Sequence, residues 1–194
     1  MLREGFCFMS QRATRRKRKS IDKNVEVVVA NNTYGTFVWE SKNGETSIVL
    51  EEHGDDEFLT YGELRKLKKY LENMELVITE VNEDGVSIMD VARGLRIDDV
   101  YEQYFDLIEE TDPDEVDDEA DIDIDEFEDF ILDSDDDEFK QILDSKLRDV
   151  IIRGSVQLYK EQKLASHSKT KMIRETRPKA DRDSFWSDIE ASLE

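Results

Sequence analysis

Apolar positions along this chain change their spacing near residue 84, and the change divides the chain in two. Upstream they fall in short β-branched or aromatic runs: Val25-Glu-Val-Val-Val-Ala, Thr36-Phe-Val-Trp-Glu and Thr46-Ser-Ile-Val-Leu-Glu. Turn residues separate these runs, first Asn31-Asn32-Thr33-Tyr34-Gly35 and then Lys42-Asn43-Gly44. The Asn-Gly pair in the second turn is a hairpin signal. Leu64, Leu67, Tyr70 and Leu71 then recur at helical spacing behind Thr60, with Glu63 three residues on, as a capping box requires. Asn73 ends that helix, and Leu76-Val-Ile-Thr reads as a last strand. The pattern predicts an α+β unit over residues 25–84, a small antiparallel sheet with one packed helix.

Downstream the period becomes helical, and residues 85–164 read as an acidic helical region. Ser87 caps a short helix through Val91 and Ala92, closed by Gly94. Asp98-Asp99 opens a second, carrying Val100, Tyr104, Phe105 and Ile108, and Pro113 interrupts it. Ile122, Ile124, Phe127, Phe130 and Ile131 mark a third segment, although residues 122–125 alternate and fit an extended chain equally well. Ser134-Asp-Asp-Asp then opens what reads as one long helix over residues 135–163. Its stripe of Phe139, Ile142, Leu143, Leu147, Val150, Ile151, Val156 and Leu158 must pack on other helices of the chain or on a second copy. Gly154 weakens the middle without breaking it.

Residues 165–194 read as a flexible basic tail ending in a short docking helix. Phe185, Trp186, Ile189 and Leu193 lie at helical spacing, in a segment too short to be helical alone. Such a segment folds when it enters a partner's groove, with Trp186 as the anchor.

Charge sharpens this division. There are 49 acidic and 27 basic residues among 194, a formal charge of -22, and the charges are segregated. Residues 1–24 form a basic arm, expected to be disordered alone, in which Arg15, Arg16, Lys17, Arg18 and Lys19 are candidate partner contacts. From Ile97 to Phe139 there is no Lys or Arg. Such a surface repels nucleic acid and anionic membranes and attracts basic proteins. Nucleic-acid contact is expected only through the arm. No stretch is apolar for long enough to cross a bilayer, and the first nine residues do not form a secretory signal. Translation from Met1 and from Met9 both fit the sequence. A single cysteine, Cys7, excludes an internal disulfide.

Candidate chemistry is sparse. A calcium loop from Asp117 offers Glu119, Asp121, Asp125 and Glu128, but its sixth position is Ile122, where the turn needs glycine. A second register from Asp133 has Glu138 at the sixth position. His53 and His167 lie in different segments and build no zinc set with Cys7. Residues 87–109 imitate a helix-turn-helix, but the second helix carries Asp98, Asp99, Glu102, Asp106 and Glu109, the wrong charge for reading DNA. Trp39 and Phe37 read as core. No catalytic, cofactor-binding or metal-binding residue is assigned.

One stretch resembles a known family. Val29-Ala-Asn31-Asn32-Thr33-Tyr-Gly35, then Phe37-Val38-Trp39, Glu51-Glu52-His53-Gly54-Asp55 and Gly62-Glu63-Leu64 resemble short proteins encoded among the structural genes of large tailed bacteriophages. The resemblance implies a non-enzymatic virion structural or tail-morphogenesis protein. Such a protein acts in the host-cell cytoplasm during assembly and in the virion, and binds phage structural proteins or basic protein surfaces. The acidic run suggests a different class, an inhibitor that mimics nucleic acid and occupies a basic cleft on a host DNA-binding protein.

Overall fold

The computed structural model describes residues 19–42, 44 and 46–193. Its centre is strand β1 (Glu26–Asn31), which lies between β4 (Asp56–Thr60) and β5 (Leu76–Val81) in an antiparallel sheet of order β4-β1-β5. The position of β1 explains its composition. A strand paired on both edges and covered on both faces needs an unbroken apolar run, and Val27 to Ala30 are all buried. A second sheet is the hairpin of β2 (Phe37–Glu40) and β3 (Ser47–Leu50), with Phe37 opposite Leu50 and both buried. On the outer face of that hairpin, Val38 faces Val49 across the strands, and they are 64 % and 54 % exposed.

Strand β4 lies in a stretch that reads as a polar loop, because Asp56 and Glu57 hide its character. It is an edge strand, and only Leu59 is buried while Phe58 is exposed. The helix α1 (Tyr61–Glu72) follows as expected. Thr60 accepts from the Glu63 amide, Glu63 accepts from the Thr60 amide, and Asn73 forms the C-cap. Leu64, Leu67 and Leu71 are fully buried.

The acidic half is ordered and shares the same core. Helix α2 (Ile88–Leu95) is capped by Ser87 and Asp90. It ends on Arg96 in the left-handed region (φ 62) and not on Gly94. Gly94 instead leaves room for a neighbour: a Cβ there would come within 2.6 Å of the Tyr61 hydroxyl oxygen, which would have to shift. Helix α3 (Asp98–Leu107) turns Val100, Tyr101, Tyr104 and Phe105 inward. It ends at Leu107, and Glu110 in the left-handed region turns the chain before Pro113. The following acidic run is shaped by aspartates that accept from amides two residues on, Asp112 from Asp114, Asp117 from Glu119 and Asp123 from Asp125. Its return to the sheet is fixed by the Ile122 amide donating to the Thr79 carbonyl at 2.9 Å.

The long helix expected over residues 135–163 is two helices, α5 (Asp136–Leu143) and α6 (Arg148–Lys160). The break lies at Asp144–Leu147. There the Ser145 hydroxyl donates to the Ile142 carbonyl at 2.7 Å and accepts from the Leu147 amide at 3.0 Å. The Lys146 amide turns outward to the side-chain oxygen of Gln103 on α3, and its ammonium pairs with Asp99. A hydroxyl that serves both partners replaces the helical bonds locally. The break lets both halves of the stripe face one core. Helix α4 (Glu126–Asp133) packs on α6 at Gly154, where a Cβ would approach Ile131 to 2.7 Å.

The tail also departs from expectation. Its linker contains helix α7 (His167–Glu175), with Ser166 accepting from the Lys169 amide as N-cap. Ile173 is fully buried, and the Arg148 guanidinium donates to the Thr176 carbonyl. Helix α8 (Phe185–Ala191) folds back on the body. No described helix is long and apolar enough to cross a membrane.

Candidate interaction surfaces

The acidic helices meet around an open groove of about 520 Å³. Its floor is apolar and half-exposed: Leu107, Ile108 and Phe130. Its rim carries Asp106, Glu110, Glu126, Asp129, Asp133 and Glu138, and among the described lining residues there is no Lys or Arg. The groove exists because α4 and α5 join through a capped corner. Asp135 accepts from the Asp137 and Glu138 amides, and Glu138 accepts from the Asp135 amide, so these two carboxylates fix the corner. Asp129 and Asp133 are exposed on α4. An apolar floor under a rim of one sign has the chemistry that suits a cationic segment with apolar residues.

At one end of the groove the side chains of Tyr104, Glu109 and Glu126 meet. The buried Tyr104 hydroxyl lies 2.7 Å from Glu126 Oε2 and 3.1 Å from Glu109 Oε1. One hydroxyl proton cannot serve two carboxylates, so the second carboxyl must bring its own. Glu126 is accordingly raised from 4.5 to about 7, by burial first and then by its hydrogen bond with Glu109. Tyr104 is raised as well, by burial and by both glutamates.

The sign of the pH effect follows. Below pH 4.5 Glu126 is protonated whether folded or not. As pH rises through about 7 the folded chain must ionise it beside Glu109, and the stability it contributed is lost. Glu126→Gln keeps a donor for Glu109 and should raise stability by about 1 kcal/mol above pH 8, after allowance for solvent screening. Urea titrations near pH 4 and pH 8 check this, and equal effects at both pH values would rule it out.

A second cluster collects the stretches that carry the family resemblance. Asn31, fully buried, donates to the Gly35 and Glu52 carbonyls at 2.9 Å each. Asn32 donates to the Met74 carbonyl, and its side-chain oxygen lies 3.2 Å from His53 Nε2. His53 stacks on Tyr34 with ring centroids 4.6 Å apart. Asp55 accepts from the Glu51 and Glu52 amides. The two loops therefore form one polar knot between the sheets. Burial, followed by Glu128, pushes the Tyr34 hydroxyl up, which keeps it protonated. The knot satisfies buried backbone, and its histidine holds a structural position.

The sequence-predicted contact residues meet different fates. Trp186 packs on Tyr159 with centroids 4.4 Å apart, and its Nε1 donates to the Thr170 carbonyl at 3.0 Å. Phe185 lies edge-on to Trp186 and under the Arg177 guanidinium. These two rings are held by their own chain, in contrast to the expected free docking peptide. Ile189 is half-buried, and Leu193 is 56 % exposed. Arg15, Arg16, Lys17 and Arg18 lie outside the described residues, and Lys19 pairs with Asp90 at 3.3 Å. Among the described residues no three His, Cys, Asp or Glu side chains are grouped as a metal site. The floor of the groove was not foreseen from sequence, because half-buried Ile108 and Phe130 read there as ordinary core positions.

Comparison with family models, with curated proteins and with solved structures finds no match for this chain.

Proposed function

We propose that this chain is a non-enzymatic interaction protein, a structural or assembly component of a tailed-bacteriophage particle that binds basic surfaces of its partners. The observation that carries the reading is the acid-rimmed groove with an apolar floor on α3, α4 and α5. Apolar floor supplies affinity, and a one-signed rim supplies steering and selectivity for cationic segments. The resemblance at residues 29–64 supplies the phage setting, with action in the host-cell cytoplasm during assembly and in the virion. The second reading, a nucleic-acid mimic, gains from one feature. Helices α3, α4 and α5 hold 11 of the 23 acids between Asp98 and Glu138 at fixed spacing, as a mimic of phosphate spacing needs.

Affinity capture with the tagged chain from its native cells, at low and high salt, separates the two. Recovery of tail, baseplate or capsid proteins, lost with Asp129→Lys plus Asp133→Lys, is the expected result. Recovery of a host DNA-binding protein that DNA competes away would replace the assembly reading with the mimic.

A further inference from the structure

Helix α7 has two faces. Lys169 and Ile173 are buried against the body, whereas His167, Lys171 and Arg174 recur at helical spacing along a more exposed stripe. That stripe lines a cleft of about 290 Å³, together with Tyr159, Leu164 and Trp186. The Trp186 ring is fixed by its bond to the Thr170 carbonyl and its packing on Tyr159, so the cleft is preformed. His167 and Arg174 make no side-chain hydrogen bond or ion pair among the described residues, and Lys171 reaches Glu175 only at 4.0 Å. Cations beside aromatic rings have the chemistry that suits an acidic surface with an apolar anchor. The volume is at the lower end for ligand pockets and suits one side chain.

The chain carries such an anchor itself. Leu132 is 40 % exposed on α4, and the exposed Asp129 and Asp133 flank it, three residues before and one after. It does not line the cleft of its own molecule. There α7 meets it from the buried face, where the Lys169 ammonium donates to the Leu132 carbonyl at 3.2 Å. The leucine and the cleft therefore meet between copies. Chains of formal charge -22 repel one another. At about 0.15 M salt that repulsion is screened beyond about 8 Å, whereas pairs in contact are screened much less.

We propose that the cleft along α7 is a socket for a second copy of this chain. It takes Leu132 of the second copy against Tyr159, Leu164 and Trp186, while Asp129 and Asp133 of that copy pair with Lys171 and Arg174. The inference goes beyond the proposed function, since the socket selects an acidic surface and the groove a cationic one. Asp129 and Asp133 also belong to the groove's rim, so a second copy and a cationic partner compete for them.

Sedimentation velocity on the full-length chain tests this. At about 0.15 M salt the parent should associate as its concentration rises, and at about 1 M salt it should return to one chain. Leu132→Lys removes the anchor, and Lys171→Glu with Arg174→Glu reverses the socket. Each should weaken association by more than about tenfold, with far-ultraviolet dichroism unchanged. Lys171→Glu alone, at a more than half-exposed position, serves if the pair disturbs the fold. Mixed in equal amounts, the anchor variant and the socket variant should recover a species of two chains and no larger, because one anchor and one socket remain intact. Failure of the mixture to associate would overturn the pairing. Association that survives both variants would overturn it too, and would point to the exposed Val38, Val49 and Phe58. A parent that stays a single chain while Lys171→Glu abolishes capture of an acidic protein would give the socket to another partner and overturn the second copy. None of the substituted residues lines the groove, so each of these failures leaves the functional reading standing. That reading fails separately, if capture is indifferent to Asp129→Lys plus Asp133→Lys.

Discussion

Replacing Leu147 with aspartate will unfold the chain rather than separate two copies of it. Leu147 is fully buried at the corner between α5 and α6, within the same core as Leu71, Tyr104 and Phe127. Its neighbours in sequence explain why it cannot escape. Ser145 fixes the corner from one side, and Gln103 with Asp99 on α3 holds Lys146 from the other. A carboxylate placed there loses its water and puts charged oxygens where two methyl groups packed. Changes of this kind cost about 4–5 kcal/mol or more. A chain of this size has about 5–15 kcal/mol in all, so most of its margin disappears. Far-ultraviolet dichroism and light scattering decide the point. The expected outcome is lost helical signal, with Lys140→Asp on the exposed face of α5 leaving dichroism unchanged. A folded Leu147→Asp chain of halved mass would instead mean that this stripe joins two copies.

The same corner shows what local pattern could and could not convey. The capping box at Thr60 and the cap at Ser87 were legible because their bonds link residues three apart, whereas the cap of α5 is Asp135, one residue past the Ser134 that the sequence suggests. The central strand was legible because burial on both faces leaves an unbroken apolar run. The break at Asp144–Leu147 was not, because heptad-like spacing continues through it. What bends the chain is a hydroxyl and a distant glutamine, both tertiary facts. Strand β4 was hidden for the opposite reason. Its one buried residue, Leu59, leaves no alternation to read, and its pairing with β1 supplies the structure. The tail helix α7 escaped notice because the face it buries includes a lysine. The groove was partly legible. The absence of basic residues from Ile97 to Phe139 marks its rim, while its floor depends on how α3 and α4 are set against each other.

That buried lysine carries the second large effect. Lys169 is 3 % exposed, and its ammonium donates to the Ile131 carbonyl at 2.8 Å, the Leu132 carbonyl at 3.2 Å and the Ser134 hydroxyl at 3.2 Å. The first two carbonyls belong to the last turn of α4, whose orphan acceptors and dipole favour a cation. Burial lowers the Lys169 ammonium below its ordinary value, and Asp136, Asp133, Glu138 and Asp135 draw it back up. The lysine thus straps α7 across the corner that shapes the groove, while the Phe139 ring lies 5.3 Å from the charge. Lys169→Met keeps the stem and removes the charge. It strips the α4 carbonyls of their donor where water cannot replace it, at a cost of about 2–4 kcal/mol. For a chain near this length each kcal/mol is worth about 2–4 °C, so the melting temperature should fall by about 5–15 °C. Because two of the three partners are backbone carbonyls, the loss should persist in high salt, unlike the loss of a surface ion pair. A melting temperature within a degree or two of the parent, or a loss that salt abolishes, would mean that α7 is held by Ile173 and Trp186 alone and that the lysine merely accompanies them.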